Sequence, residues 1–312
     1  MSGNGDSIRV CEVSDFGGPE MLRLASRERP RARPGEVVVG VAAATVNPTD
    51  IAARTGAHRR RMPELRPPFV LGWDLAGVID DPGGSGLEAG MPVLGMIPWV
   101  QTGGRVGAYA QAASIDPAWI VPRPPSLDPV TAATVPLNAL TARQALDLIA
   151  APPGSTLLIT GASGAVGGFA TQLAAHDGLR VLAVASDGDE QWVRSLGADD
   201  VIPRTARFDS VPPVDALLDA VPVGGAATAA VRDGGVALFT RRVPDLPEDR
   251  GLRYEMPLVH TDAEMLLALT REVSSGRLRT RVAHTLDLAD AAQAHRLLER
   301  GGLRGKIVLT TD

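Results

Sequence analysis

The sequence predicts an α/β protein of two parts, a doubly wound parallel sheet and a compact β-barrel-like domain before it. Three observations carry this. Strand and helix patterns alternate through the middle of the chain, a glycine-rich turn joins one of those strands to the helix after it, and the first 120 residues carry short β-rich runs broken by Pro and Gly. Alternating strands and helices imply parallel strands with helices on both faces, whereas short runs punctuated by turn residues imply a barrel.

The elements follow in order. Residues 37–41, 93–96 and 120–121 read as barrel strands, with Gly17-Gly18-Pro19, Pro34-Gly35 and Pro82-Gly83-Gly84 between elements. A helix-forming stretch at 130–151 bridges to the sheet. There, Leu157, Leu158 and Ile159 run directly into Gly161, Gly164 and Gly167, and 169–175 continues at helical spacing. A second strand at 180–186, a helix through Trp192 and Leu196 stopped at Gly197-Ala198, and strands at 201–202 and 214–218 come next. A helix at 226–232, a Gly234-Gly235 turn and a strand at 236–240 complete the alternation. Residues 287–300 and a final strand at 306–310 return to the first domain. The expected domains are therefore 1–123 with 259–312, and 124–258, the latter of Rossmann type.

Composition narrows the function classes. At 312 residues, 45% hydrophobic and 21% charged, the chain can hold two cores and reads as neither disordered nor membrane-spanning. A net charge of -5 argues against a nucleic-acid surface. The N-terminal MSGNGDSIRV lacks the basic and apolar segments of a signal sequence, so the expected compartment is the cytoplasm. Cys11, the one cysteine, excludes an internal disulfide and a cysteine cluster for structural zinc. Lys306 is the one lysine and falls in the last strand pattern, which leaves Schiff-base and P-loop chemistry without a good candidate.

The glycine turn is built for an anion. Glycines let the backbone approach a pyrophosphate with no Cβ in the way, and the exposed amides and dipole of the following helix favour negative charge. A glycine triplet alone also fits a bare βα turn; the alternating strands around it favour the cofactor. Gly161, Ala162, Gly164, Ala165, Val166 and Gly167 are the expected pyrophosphate residues, with Thr240 at the end of a later strand. Cofactor choice turns on the end of the second strand, where a carboxylate suits NAD and a hydroxyl with an arginine suits a 2′-phosphate. Ser186 with Arg204 favours NADPH over NADH, although Asp187 is adjacent.

The segments DFGGPEMLRL, RPGEVVVGVAAATVNPTD at 33–50, PPFVLGWDLAGVI at 67–79, VPLNALTARQAL at 135–146, ITGASGAVG and SLGADDVI occur in that order over nearly the whole chain. Together they resemble the zinc-free branch of the medium-chain dehydrogenase/reductases, above all its quinone oxidoreductase and enone/enoyl reductase members. The resemblance implies a GroES-like catalytic domain, a Rossmann domain, a cleft between them and a homodimer. Where zinc-dependent relatives carry a cysteine and a His-Glu pair, this sequence has Asn47 and Trp73-Asp74, and its five histidines form no ligand-spaced pair, so no metal is expected. Asp74 is read as a buried structural anion paired with an arginine rather than an acid catalyst. TGASGAVG also resembles the turn of short-chain dehydrogenases, but neither Tyr109 nor Tyr254 has the lysine four residues on that those enzymes use.

A metal-free site favours reduction of a conjugated C=C bond or a quinone, because the charge delocalises onto an oxygen that one hydrogen-bond donor can hold. Asn47 is the first candidate donor, with Asn138 and Thr141 beside it near the nicotinamide; the competing reading of Asn47 is an Asx-turn before Pro48. Trp73, Trp99 and Tyr109 are the aromatic residues expected near the substrate, with Tyr109 read as packing rather than as a proton donor. The arginine-rich segment 54–66, including Arg59, Arg60 and Arg61, reads as a solvated loop, with a gate for anionic substrates as the sharper alternative. The expected function is an NADPH-dependent quinone or enone reductase. The alternative is a catalytically silent or redox-neutral NADPH binder.

Overall fold

The computed structural model describes residues 7–311. Residues 1–6, which carry most of the compartment expectation, and residue 312 at the end of the expected first domain lie outside the described residues.

The chain forms two compact units, one reaching to Leu137 and taking back His260–Ser274 and the chain from Arg281 on, the other Asn138–Val259 with Ser275–Thr280. The first unit opens with β1 (Ser7–Val13), β2 (Leu22–Glu28) and β3 (Val37–Thr45), followed by α1 (Pro48–Arg54). Next come β4 (Phe69–Val70), β5 (Asp74–Asp81), β6 (Pro92–Met96), β7 (Ala112–Ile115), β8 (Ile120–Pro122) and α2 (Pro129–Ala133). Every residue of β3 is small or β-branched and seven of its nine are buried, as a strand at the centre of a barrel sheet requires. Helix α2 packs on β3 and β5, which is why the first unit extends past 123, where the sequence reading ended it.

The second unit takes most of α3 (Pro136–Ile149), then β9 (Thr156–Thr160), α4 (Ala165–His176), β10 (Arg180–Ala185) and α5 (Glu190–Ser195). Strands β11 (Asp200–Pro203), β12 (Val214–Asp219), β13 (Val231–Phe239) and β14 (Arg253–Glu255) follow. All six strands are parallel, in the order β11-β10-β9-β12-β13-β14. Renumbered from β9, this is the 3-2-1-4-5-6 order of the dinucleotide-binding fold, whose order reverses beside its first strand. The expected helix at 226–232 is instead a 3₁₀ segment, Gly224–Ala230. Its sequence GGAATAA offers two glycines and no large apolar side chain to form a helical stripe. Leu158, Leu182, Leu217 and Phe239 anchor one layer of this unit's core.

The chain then returns to the first unit through α6 (Ala263–Ser274), β15 (Val282–Asp287), α7 (Ala291–Arg300) and β16 (Lys306–Thr310). The barrel sheet runs β15-β16-β3-β5-β6-β8, with β7 also pairing β3. Central β3 is thus flanked by β16, where Val308 faces Thr45, and by β5, where Leu75 faces Ala44. Both ladders are antiparallel, so Lys306 is brought opposite Asn47 and Asp74 opposite Thr45. Among the described residues no helix is long and apolar enough to cross a membrane.

Candidate active site

In the first unit the two sheet registers converge on a closed polar cluster. Asn47 is 1% exposed and caps α1, its backbone N–H donating to Asp50 Oδ2 at 2.8 Å. Its side chain is fully engaged. Nδ2 donates to Asp74 Oδ2 at 2.9 Å and to Thr45 Oγ1 at 3.2 Å, and Oδ1 accepts from Lys306 Nζ at 2.5 Å. Lys306 also donates to Val46 O at 2.9 Å. Asp74, with no exposed surface, accepts in addition from the Thr45 hydroxyl and from the Leu137 N–H at 2.6 Å.

Asp74 is thus the buried structural anion expected, but its cation is Lys306 rather than an arginine. Burial pushes its pKa up, while the Lys306 ammonium and the three donors oppose the shift. Burial likewise depresses Lys306, against the pull of Asp74 and Asp50. Asp50 accepts from the Gly72 N–H at 3.1 Å, and desolvation raises its pKa to about 7. From Asp50 a chain of contacts continues inward: Tyr109 OH lies 3.4 Å from Asp50 Oδ2 and 3.2 Å from His295 Nε2. Desolvation, with the Arg54 charge, lowers His295 to about 3.

The aromatic candidates separate. Trp99 has no exposed surface and gives its indole N–H to Val70 O at 2.8 Å, and Tyr109 is equally buried, so both are core residues. Trp73 is 5% exposed and its Nε1 has no hydrogen-bond partner. In the arginine-rich segment, Arg54 is buried and paired with Glu299, Arg59 lies over the Phe16 ring, and Arg60 and Arg61 are exposed. His58 Nε2 sits 3.0 Å from Thr49 Oγ1, joining the segment to the first turn of α1.

In the second unit the glycine turn lies between β9 and α4, at the carboxyl end of the sheet. Gly161 has φ 63°, and a Cβ there would sit 2.3 Å from Val221. Gly167 packs so closely that a Cβ would lie 2.2 Å from Gly161 O, and Ala162 N–H donates to Val184 O at 3.2 Å. Gly164 differs: it caps α4 in extended geometry, and the one atom that an added methyl would approach is Gly161 O at 3.2 Å. The first helical bond runs from Gly168 N to Gly164 O, which leaves the amides of Ala165, Val166 and Gly167 without intrahelical acceptors. The Arg204 N–H donates to Ala185 O at 3.0 Å, so its exposed side chain starts beside Ser186. Asp187 is exposed. Thr240 gives both its N–H and its hydroxyl to Asp219 O at 3.1 Å, and Asp219 also accepts from the Thr160 hydroxyl. Asn138 and Thr141 lie on α3, Asn138 almost fully buried.

Sequence reasoning missed Lys306, Asp50, His295 and Asp219 as members of these clusters. The one available signal was a single lysine in an otherwise all-arginine chain, placed inside an apolar strand.

A barrel unit with a buried polar cluster and a parallel-sheet unit with a glycine turn make up a two-part architecture in which the second part has the strand order of a dinucleotide-binding fold. Residues 33–125 match the alcohol dehydrogenase GroES-like domain and 196–309 the zinc-binding dehydrogenase domain. It is 30% identical over 205 residues to the 2-methylene-furan-3-one reductase of Solanum lycopersicum, covering 64% of this chain and 52% of that one. It is 31% identical over 205 residues to the NADPH-dependent alkenal/one oxidoreductase of Arabidopsis thaliana, covering 64% and 53%. The chain therefore spans about half the length of these relatives. Among solved structures, the quinone oxidoreductase of Coxiella burnetii superposes with a TM-score of 0.87 at 27% identity, covering 98% of this chain and all of that one.

The zinc in the second domain's description does not suit the residues present. Asn47 gives its amide to Asp74 and Thr45 and holds the Lys306 ammonium on its oxygen, an indole is not a zinc ligand, and Asp74 already faces an ammonium. Among the described residues no group of three His, Cys, Asp or Glu is arranged to hold a metal ion.

Proposed function

We propose that this protein is an NADPH-dependent oxidoreductase that reduces quinones or α,β-unsaturated carbonyls without a catalytic metal. The observation that carries the reading is a chain that keeps the glycine turn while its Asn47 and Asp74 are committed to Lys306 and to one another. The relatives named for enone and quinone reduction support the same chemistry.

NADPH, when bound, supplies a hydride to the substrate and leaves as NADP⁺. The open face of Gly164 and the amides of Ala165, Val166 and Gly167 fit its pyrophosphate, and Ser186 with Arg204 fits the 2′-phosphate. An enone that accepts the hydride at its β-carbon becomes an enolate, and solvent protonates the α-carbon; a quinone becomes the quinol by the same count of two electrons and two protons. No Lewis acid is required, because the charge is delocalised. Asn47, with its amide spent, orders the site; Asn138 and Thr141 remain candidates for contact with substrate. Turnover of NADPH with a panel of quinones, enones and enoyl thioesters tests the reading, and cofactor binding without turnover would favour the silent binder instead.

We also place the protein in the cytoplasm as a homodimer. Its single cysteine and the open edge of β14 support that placement. A solution mass equal to one chain would exclude the dimer.

A further inference from the structure

We propose that the indole N–H of Trp73 is the donor that holds the substrate's carbonyl oxygen as negative charge develops on it. This rests on the reductase reading above and names the group that does the work of a metal there.

A metal-free reduction of this kind needs at least one hydrogen-bond donor aimed at the oxygen. Among the described residues of the first unit, Arg54, Trp73, Arg123, Thr270 and His295 hold a buried polar side-chain atom with no partner, and of these only Trp73 adjoins Asp74 in the chain. Asn47 spends Nδ2 on Asp74 and Thr45, and Trp99 spends its indole on Val70. Tyr109 lies between Asp50 and His295, and Thr45 gives its hydroxyl to Asp74. The Trp73 Nε1 is buried and has no partner. Indole N–H is a donor only, and buried polar groups in folded proteins are nearly always paired, so an unpaired one calls for an explanation in function. Its place supplies one. Trp73 is the residue immediately before Asp74, and its own carbonyl is fixed by the Ile97 N–H at 2.7 Å, so its backbone is held next to the Asn47 cluster. The proton stays on the indole throughout: the N–H stabilises the enolate or quinol oxygen, and solvent supplies the proton that completes the product.

Two readouts test this. Trp73→Phe removes the donor and keeps an aromatic ring; by analogy with loss of one oxyanion donor, kcat/KM for 2-cyclohexen-1-one should fall about 100-fold with the dissociation constant for NADPH unchanged. Independently, the chain has four tryptophans, so the four indole N–H signals of the ¹⁵N-labelled protein can be assigned by single Trp→Phe variants. In the NADP⁺ complex, where no turnover occurs, saturating 2-cyclohexen-1-one should move the Trp73 signal downfield. A Trp73 signal that stays in place, or a folded Trp73→Phe protein with parental kcat/KM, would overturn the proposal. Should the parent reduce nothing, the reductase reading fails on its own, and the indole signal still decides whether Trp73 binds the carbonyl.

Discussion

Lys306 Nζ donates to Asn47 Oδ1 at 2.5 Å, across the β16–β3 ladder and 259 residues away in sequence. The same ammonium opposes the upward shift that burial imposes on both Asp74 and Asp50. Lys306→Met would leave an uncompensated buried carboxylate, and breaking a buried pair from one side costs about 3–5 kcal/mol. Chemical denaturation of the parent and variant reads this; a loss under about 1 kcal/mol would show that Asp74 does not depend on the Lys306 charge.

Two buried groups tilt the stability profile in opposite directions over nearly the same pH window. Asp50 has its folded pKa raised from 3.8 to about 7, so its stabilising effect is fully present below the lower value and is lost as pH rises through the upper one. His295 is lowered from 6.5 to about 3, so stability is lost as pH falls through that window. Each slope is bounded at about 1.4 kcal/mol per pH unit. Because the two slopes offset each other in the parent, Asp50→Asn should leave stability rising with pH between about pH 4 and 6.5, and His295→Gln should leave it falling over the same range. Stability measured against pH for the three proteins checks both, and parallel profiles would refute the assignment.

The glycine turn separates binding from folding. Gly164 has ordinary extended geometry and an added Cβ would meet one atom, Gly161 O at 3.2 Å, which must give by a few tenths of an ångström, so Gly164→Val should still fold and lose NADPH binding. Gly167→Ala places a methyl 2.2 Å from the Gly161 carbonyl and should destabilise the second unit itself. Cofactor titration and thermal unfolding of both variants distinguish the roles; unaltered NADPH affinity in Gly164→Val would move the pyrophosphate elsewhere.

Removal of Arg204 tests the 2′-phosphate. A charge-assisted hydrogen bond contributes about 1.5–3 kcal/mol, so Arg204→Ala should weaken NADPH roughly tenfold to a hundredfold and NADH hardly at all. Equal weakening of both cofactors, or a parent that prefers NADH, would leave Asp187 as the ribose partner.

Much of this molecule was legible from periodicity. The switch from strand to helical spacing around Gly161–Gly167 marks β9 and α4, and short runs broken by Pro and Gly mark the barrel. The 3₁₀ segment Gly224–Ala230 was not legible, because alanines and glycines satisfy several local conformations and neighbouring strands decide among them. The site divides the same way. Glycines and Ser186 sit in local motifs, whereas the partners of Asn47 are set by two strand registers that join residues far apart in the chain, and an apolar strand containing one lysine does not say which buried anion it meets.

The direct test of the central claim is the absorbance of NADPH followed with chelator-treated protein and a panel of quinones, enones and enoyl thioesters. The account predicts NADPH oxidation matched by loss of the quinone or conjugated double bond, at a rate that chelation leaves unchanged. Activity that disappears with removal of one zinc per chain, or a protein that binds NADPH and reduces no member of the panel, would contradict it.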